Sequence, residues 1–273
     1  MAQTSTDIYL GALSSSGGQV RIGPLINITD RAGYDNQPHF TPDGRSLLYT
    51  SIRDDQADTY RYDLALASTE RLTRTDESEY SPTAMTKGGT FSVVQVEADS
   101  TQRLWHFDFE GSNRGVLLAD VQPVGYHAWI DSTMVALFVL GDPPTLQLAD
   151  TRTGVAETVE TGIGRSLHRI PSDNRLSFVH KLSEDEWWLK ALDTNTLAAT
   201  KLVRTPPAIE DYAWTPEGAI LMGQGSKLLM WSPRLDEGWQ EVADLAAAGL
   251  QGITRLAVSP DGKFIAIVAQ AAG

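Results

Sequence analysis

Apolar residues in this chain gather in short, nearly unbroken runs: "SLLYTS" (Ser46–Ser51), "FSVVQV" (Phe91–Val96), "MVALFVL" (Met134–Leu140), "LSFVHK" (Leu176–Lys181), "AILMG" (Ala219–Gly223) and "FIAIVA" (Phe264–Ala269). Runs this short, rich in branched and aromatic residues, predict β-strands covered on both faces. A turn precedes each run. "TPDG" places Gly44 before the first, and the same alignment places Gly88, Thr133, Asn174, Gly218 and Gly262 before the others. The steps between them are 44, 45, 41, 44 and 44 residues. Pro presets φ, Asp bonds the following backbone, and Gly accepts the left-handed conformation that closes the hairpin. Asn174 can adopt that conformation too; Thr133 cannot do so comfortably, which predicts a different turn there.

Each copy continues in the same way. A third run follows: "TYRYDL", "RLWHFDF", "TLQLADT", "EWWLKALDT" and "KLLMWSP". Four of these carry a terminal Asp (Asp63, Asp108, Asp150, Asp193) suited to opening the next turn through its side chain. A short fourth run leads back: "ERLTR", "RGVLLAD", "AETVE", "ATKLVR" and "WQEVAD". Four strands at a period of about 44 residues is the signature of a β-propeller blade. The last copy supplies two strands only, and "TDIYLGAL" (Thr6–Leu13) with "VRIGPLINIT" (Val20–Thr29) supplies the missing third and fourth. The expectation is an all-β, six-bladed propeller of four antiparallel strands per blade, spanning 1–273 as one domain. Its sixth blade combines about 1–30 with 252–273, so the N-terminal strands complete the C-terminal blade. Helix is expected to be scarce, with a turn or two at most in Val242–Gln251.

Composition narrows the function. The chain of 273 residues has no cysteine, which excludes disulfides and thiolate metal sites. With 35 acidic and 22 basic residues its net charge is −13. Phosphate backbones and anionic lipid surfaces repel such a chain, so nucleic acid is not an expected partner. The longest strongly apolar run, Met134–Leu140, is far too short to span a bilayer, so membrane insertion is not expected either. The chain passes from Met1 through a few small or polar residues into a strand pattern at Asp7. That start is compatible with a processed, exported protein and equally with a cytoplasmic one whose N-terminus simply begins there.

The motif "FTPDGR" (Phe40–Arg45), followed by "SLLYTS-x-RDD" and by "TYRYDL…ERLT", resembles the Pro-Asp repeats of the TolB-like (WD40-like) propeller family. "SPDGKFIAI" (Ser259–Ile267) and "WTPEGAIL" (Trp214–Leu221) are similar, and the resemblance covers the whole chain. It implies a six-bladed propeller of the envelope, periplasmic or secreted, that binds a protein or small ligand. The same repeat also occurs in peptidase propellers and sugar lyases. The α/β domain that TolB carries ahead of its propeller has no counterpart among these repeats.

Propellers bind at the ends of their inner strands. Six residues before the turn position the copies read Pro38, Pro82, His127, His168, Tyr212 and Leu256. Close by in sequence lie Tyr80, Tyr126, Arg165, Ser166, Glu210, Asp211 and Arg255. Tyr80, Tyr126, His127, Arg165, Ser166, His168, Glu210, Asp211, Tyr212 and Arg255 are therefore the candidate ligand-binding residues at the channel mouth. A competing reading makes the two histidines purely structural, satisfying neighbouring blades. Metal ligation by His127, His168 and Asp211 is a weak alternative; no cofactor is expected, though a channel divalent ion is compatible with those side chains. Ser166, two residues from His168, lacks the sharp strand-to-helix turn of a nucleophile. The paired acids of "RDD" (Arg53–Asp55) and "SEDEWW" (Ser183–Trp188) read as solvated hairpin residues. No catalytic motif emerges. The sequence favours a monomeric, non-catalytic binding module, with a sugar- or ester-directed hydrolase or lyase as the alternative.

Overall fold

The computed structural model describes residues 5–16, 19–85, 89–112, 114–171, 173–235 and 238–271. These residues form six four-stranded antiparallel sheets, one per repeat. The protein is a six-bladed β-propeller. Blades 5, 6 and 1 belong to one compact unit (up to Arg74, and from Asp211 on), and blades 2, 3 and 4 to another (Thr75–Glu210). Among the described residues the only helical element is a single 3₁₀ turn, Ala246–Ala248, inside the stretch expected to supply a turn of helix.

Blade 6 is assembled from both chain ends. Its strands lie in the order Gln19–Asn27, Thr6–Ser16, Phe264–Gln270, Leu256–Val258, with Tyr9 opposite Ile267 and Ile267 opposite Leu256. The central strands split their side chains between two neighbours, because successive residues point to opposite faces. Ile265 and Ile267 pack with Leu221, Leu228 and Met230 of blade 5. Ala266 and Val268, on the other face, pack with Leu47, Tyr49 and Tyr60 of blade 1. In the second unit, Val135, Leu137 and Val139 meet Val94 and Leu104 of blade 2, while Ala136 and Phe138 meet Ile163, Leu167 and Phe178 of blade 4. This double burial is why the second-strand runs are nearly continuously apolar rather than strictly alternating.

The turns follow the chemistry written in the repeat. Gly44 and Gly262 have φ of 69° and 70°. Thr41 Oγ1 donates to Asp43 Oδ1 at 2.6 Å, and Asp43 Oδ1 accepts from the Arg45 N–H at 3.0 Å. Ser259, Asp261 and Lys263 repeat this arrangement at 2.7 and 3.1 Å. The Ser259 hydroxyl, with the Lys263 donors, holds the Asp261 carboxyl down to about 2. Blades 3 and 4 keep an aspartate acceptor in the turn but not the left-handed glycine. Asp131 accepts the Thr133 and Met134 N–H groups at 2.7 and 2.8 Å, and Asp173 accepts the Arg175 N–H at 3.0 Å. Neither Thr133 nor Asn174 takes a positive φ. The Gly88 turn of blade 2 lies outside the described residues. Asp63, Asp150 and Asp193 each accept backbone N–H groups of the residues that follow, as expected of turn openers. Asp54 and Asp55 have φ of 52° and 62° between the paired Arg53 and Gln56. They are the two central residues of a tight hairpin rather than a carboxylate pair with chemistry of its own.

A second repeated device joins the third and fourth strands. Thr29 Oγ1 donates to Asp7 Oδ1 at 3.1 Å and accepts the Ile8 N–H at 3.0 Å. In blade 1, Thr73 Oγ1 contacts Asp58 Oδ1 at 3.5 Å and accepts the Thr59 N–H at 2.9 Å. The sequence pairs "DIY…NIT" and "DTY…RLT" thus encode one clasp twice.

Candidate functional site

The sequence-selected residues fall into separate settings. In blade 3, His127 is buried, and its Nε2 lies 2.7 Å from Ser92 Oγ, which also accepts the Trp129 indole N–H at 2.9 Å. It ties blade 3 to blade 2. Tyr80 packs against the same apolar cluster. In blade 4, Ser166 Oγ and His168 Nε2 stand 3.4 Å apart on one strand, Ile163–Arg169. In the other unit Tyr212 is buried. There Arg255 lies between two partners: Nη1 donates to Asn36 Oδ1 at 3.1 Å, and Nε is 4.0 Å from Asp211 Oδ1. One guanidinium therefore connects the inner-strand beginnings of blades 5, 6 and 1. Among the described residues no three His, Asp or Glu side chains gather as a metal ion requires, and His127 and His168 serve separate contacts.

Tyr126, Arg165 and Glu210 are brought together. They line a crevice of about 480 Å³ between blades 3 and 4, with Phe138, Leu140, Asp142, Pro143, Pro144, Gly162, Ile163 and Lys181. Local irregularities build it. The first strand of blade 4 pairs Ile163 with His180, yet Leu167 with Phe178. Four residues on one side therefore match two on the other, and the extra ones bulge out of the ladder. The Arg165 N–H, released from strand pairing, donates instead to Glu210 Oε2 at 3.1 Å. Lys181 ends the second strand, Arg175–Lys181, and its Nζ reaches the same oxygen at 2.8 Å. Arg165 Nε lies 3.8 Å from Glu210 Oε1. Gly164 makes room for this carboxylate: a Cβ there would stand 2.7 Å from Glu210 Oε2 and 3.1 Å from Val179 Cβ.

The opposite wall is apolar. Tyr126 and Phe138 meet edge to face at 5.8 Å, and Gly125 lets the Phe138 ring lie close, since a Cβ there would be 3.0 Å from it. The segment 140–144 is anchored at both ends: the Leu140 N–H donates to Pro123 O at 2.9 Å, and Pro144 O accepts the Gly162 N–H at 2.8 Å. Leu140 itself stays 41% exposed on the rim. The same Lys181 Nζ sits 4.3 Å over the Trp187 ring, and Lys201 Nζ lies 4.3 Å over Trp188, so both tryptophans are capped by a cation.

Sequence reasoning passed over Lys181, Phe138, Leu140 and the two prolines. Their one signal was the end of an apolar strand in Leu140, followed at once by "GDPP".

Solved structures share this architecture. A protein described as a candidate TolB from Agrobacterium tumefaciens superposes with a TM-score of 0.73 at 15% identity, covering 98% of each chain. The fold is that of the TolB-like propeller. TolB from Acinetobacter baumannii gives 0.62 at 14% identity, covering 96% of this chain and 64% of the longer TolB chain. An oligogalacturonate lyase in complex with manganese gives 0.61 at 16% identity, covering 91% and 80%. At such identities the likeness carries the propeller architecture alone. No protein-family model matches the sequence, and no curated protein matches it. Among the described residues no helix is long and apolar enough to cross a membrane.

Proposed function

We propose that the protein is a non-catalytic binding module, acting as a monomer in the periplasm or outside the cell, whose ligand occupies the crevice between blades 3 and 4. The observation that carries this reading is the crevice itself. It offers an aromatic and prolyl wall facing a compact group of charged side chains, at a volume suited to a small molecule. Its polar groups are also held in place by backbone hydrogen bonds, which lowers the ordering cost of binding. The TolB-like architecture supports an envelope setting.

The enzymatic alternative would use His127 and His168 as acid–base groups or metal ligands. His127 is buried against Ser92, whereas His168 Nε2 stands 3.4 Å from Ser166 Oγ on the first strand of blade 4, so the two imidazoles serve separate contacts. Binding is the better-supported reading.

Thermal-shift screening of the wild type and of Leu140→Arg against a small-molecule panel tests it. Leu140 is on an exposed rim, so the variant should fold normally while filling the opening. Compounds that raise the unfolding temperature of the wild type should fail on the variant. Equal shifts in both proteins would remove the crevice as the binding site.

A further inference from the structure

The charged side chains of the crevice are sorted rather than mixed, and the following inference rests on the crevice being a ligand site. Its two cations are already engaged. Lys181 Nζ lies 2.8 Å from Glu210 Oε2 and 4.3 Å over the Trp187 ring, and Arg165 Nε lies 3.8 Å from Glu210 Oε1. Asp142 stands in a different setting. It lines the same crevice from an exposed stretch of blade 3, and among the described residues its carboxylate meets no hydrogen-bond donor and no cation. The adjoining loop of blade 4, residues 182–186, springs from Lys181 and is closed by the Leu182 N–H donating to Glu186 O at 2.9 Å. Two more exposed acids stand on it, Glu184 and Asp185. Arg204 Nη2 reaches the Asp185 carbonyl at 2.6 Å, and Lys201 pairs with Glu186 at 3.6 Å. Neither the Glu184 nor the Asp185 carboxylate has a described partner. The crevice therefore holds one self-satisfied charge group, at Glu210, and one carboxylate open to a ligand, at Asp142.

We infer that the crevice binds a small organic amine with an aromatic or aliphatic body, its ammonium on Asp142 and its body against Tyr126, Phe138, Pro143 and Pro144. An ammonium donating to a carboxylate makes a charge-assisted hydrogen bond, the strong kind, and both Asp142 oxygens can accept it. The body is taken up by two rings and two prolines, and by Leu140 and Leu182, which stay 41% and 44% exposed on the two loops. Glu184 and Asp185 add negative potential on the neighbouring loop, and a chain of net charge −13 draws in cations from solution. An anionic analogue would set its charge against Asp142, and to reach Lys181 it would have to displace Glu210. The site thus discriminates by repulsion as well as by attraction. A neutral analogue keeps the wall and loses the anchor.

Calorimetric titration of the full chain with 3-phenylpropylamine, 3-phenylpropionamide, 3-phenylpropionate and propylamine tests the assignment. The aromatic amine should bind about tenfold more tightly than the amide, the acid and the short amine, and its advantage over the amide should shrink as salt is added. Asp142→Asn should cost the aromatic amine about tenfold and leave the amide unchanged, and Asp142→Glu should restore the amine. Circular dichroism and thermal unfolding of each variant confirm that it is folded. Equal affinity for amine and amide, with both lost in Leu140→Arg, would overturn the ammonium assignment while leaving the crevice as the binding site. Amine affinity unchanged in Asp142→Asn, or tighter binding of 3-phenylpropionate than of the amine, would overturn it in the same way. Binding by no probe, or binding of the amide unaffected by Leu140→Arg, would overturn the assignment and the crevice reading together. Tighter binding of acetyl-Phe-Lys-Phe-amide than of 3-phenylpropylamine, lost in Asp142→Asn, would replace the small amine with a lysine side chain of a polypeptide.

Discussion

His39 offers a test of the folded state that depends on one proton. It sits on the first strand of blade 1, Asp35–Phe40, opposite Leu48. Burial drives its imidazole down from 6.5 to about 4, and a backbone hydrogen bond at Phe40 offsets only part of that. In the unfolded chain His39 takes up a proton near pH 6.5; in the folded protein it resists until about pH 4. Between those values the unfolded state binds more protons, so acid draws the equilibrium toward unfolding. The stabilisation is complete above about pH 6.5 and is lost as pH falls to about 4. A shift of that size corresponds to ~2 kcal/mol lost by pH 5 and ~3 kcal/mol by pH 4, less whatever solvent contact the ring retains. His180, also held below its ordinary value by burial, pushes the same way, whereas burial raises Asp35 and Asp58 and they push the other way. His39→Gln cancels these common contributions. Urea unfolding of wild type and variant, from pH 7.5 to pH 4, should show the difference in stability between them shifting by roughly 2–3 kcal/mol in favour of the variant as pH falls. Parallel pH profiles for the two proteins would refute the reasoning, because they would mean that the His39 proton affinity does not change on folding.

Two further perturbations address packing and closure. A Cβ on Gly223 would lie 2.2 Å from Ile253 Cγ2 and 2.8 Å from Ile253 Cβ, so Gly223→Ala should destabilise by about 1–3 kcal/mol through overpacking. Ile253→Ala should relieve part of that in the double variant, which a double-mutant cycle by urea unfolding measures. Deleting the chain through Asp30 removes two of the four strands of blade 6 and exposes Ile265, Ile267 and Val268, so the truncated protein should lose its single cooperative thermal transition. Retention of a wild-type melting profile would show that the N-terminal strands are dispensable.

Much of this architecture is local chemistry repeated. Thr-Pro-Asp-Gly and Ser-Pro-Asp-Gly make the same side-chain-to-backbone bonds wherever they occur, because every partner lies within a few residues. Nearly continuous apolar runs announce two-sided burial, and the period of about 44 residues then counts the blades. Even the closing strands were legible, since "TDIYLGAL" carries the third-strand pattern out of its usual place.

The site was legible only in part. Counting back from the turn placed Tyr126, Arg165 and Glu210 near one another along the repeat, and the structure gathers them in the crevice. The same count gave His127 equal standing, yet it faces Ser92 inside the blade 2–blade 3 packing. Tyr126 and His127 part because neighbours on one strand point to opposite faces, while the bulge after Ile163 is what frees the Arg165 N–H for Glu210. A change of strand register has no short sequence signature. Lys181 joins the crevice from a different strand, and Pro143 and Pro144 from a different blade, so only the folded chain could bring them to Glu210. The amino-acid sequence determined what can be decided between near neighbours: turns, strands and the number of blades. The tertiary structure decided which charged and aromatic side chains share a surface, because that depends on how strands from separate repeats are offset against one another.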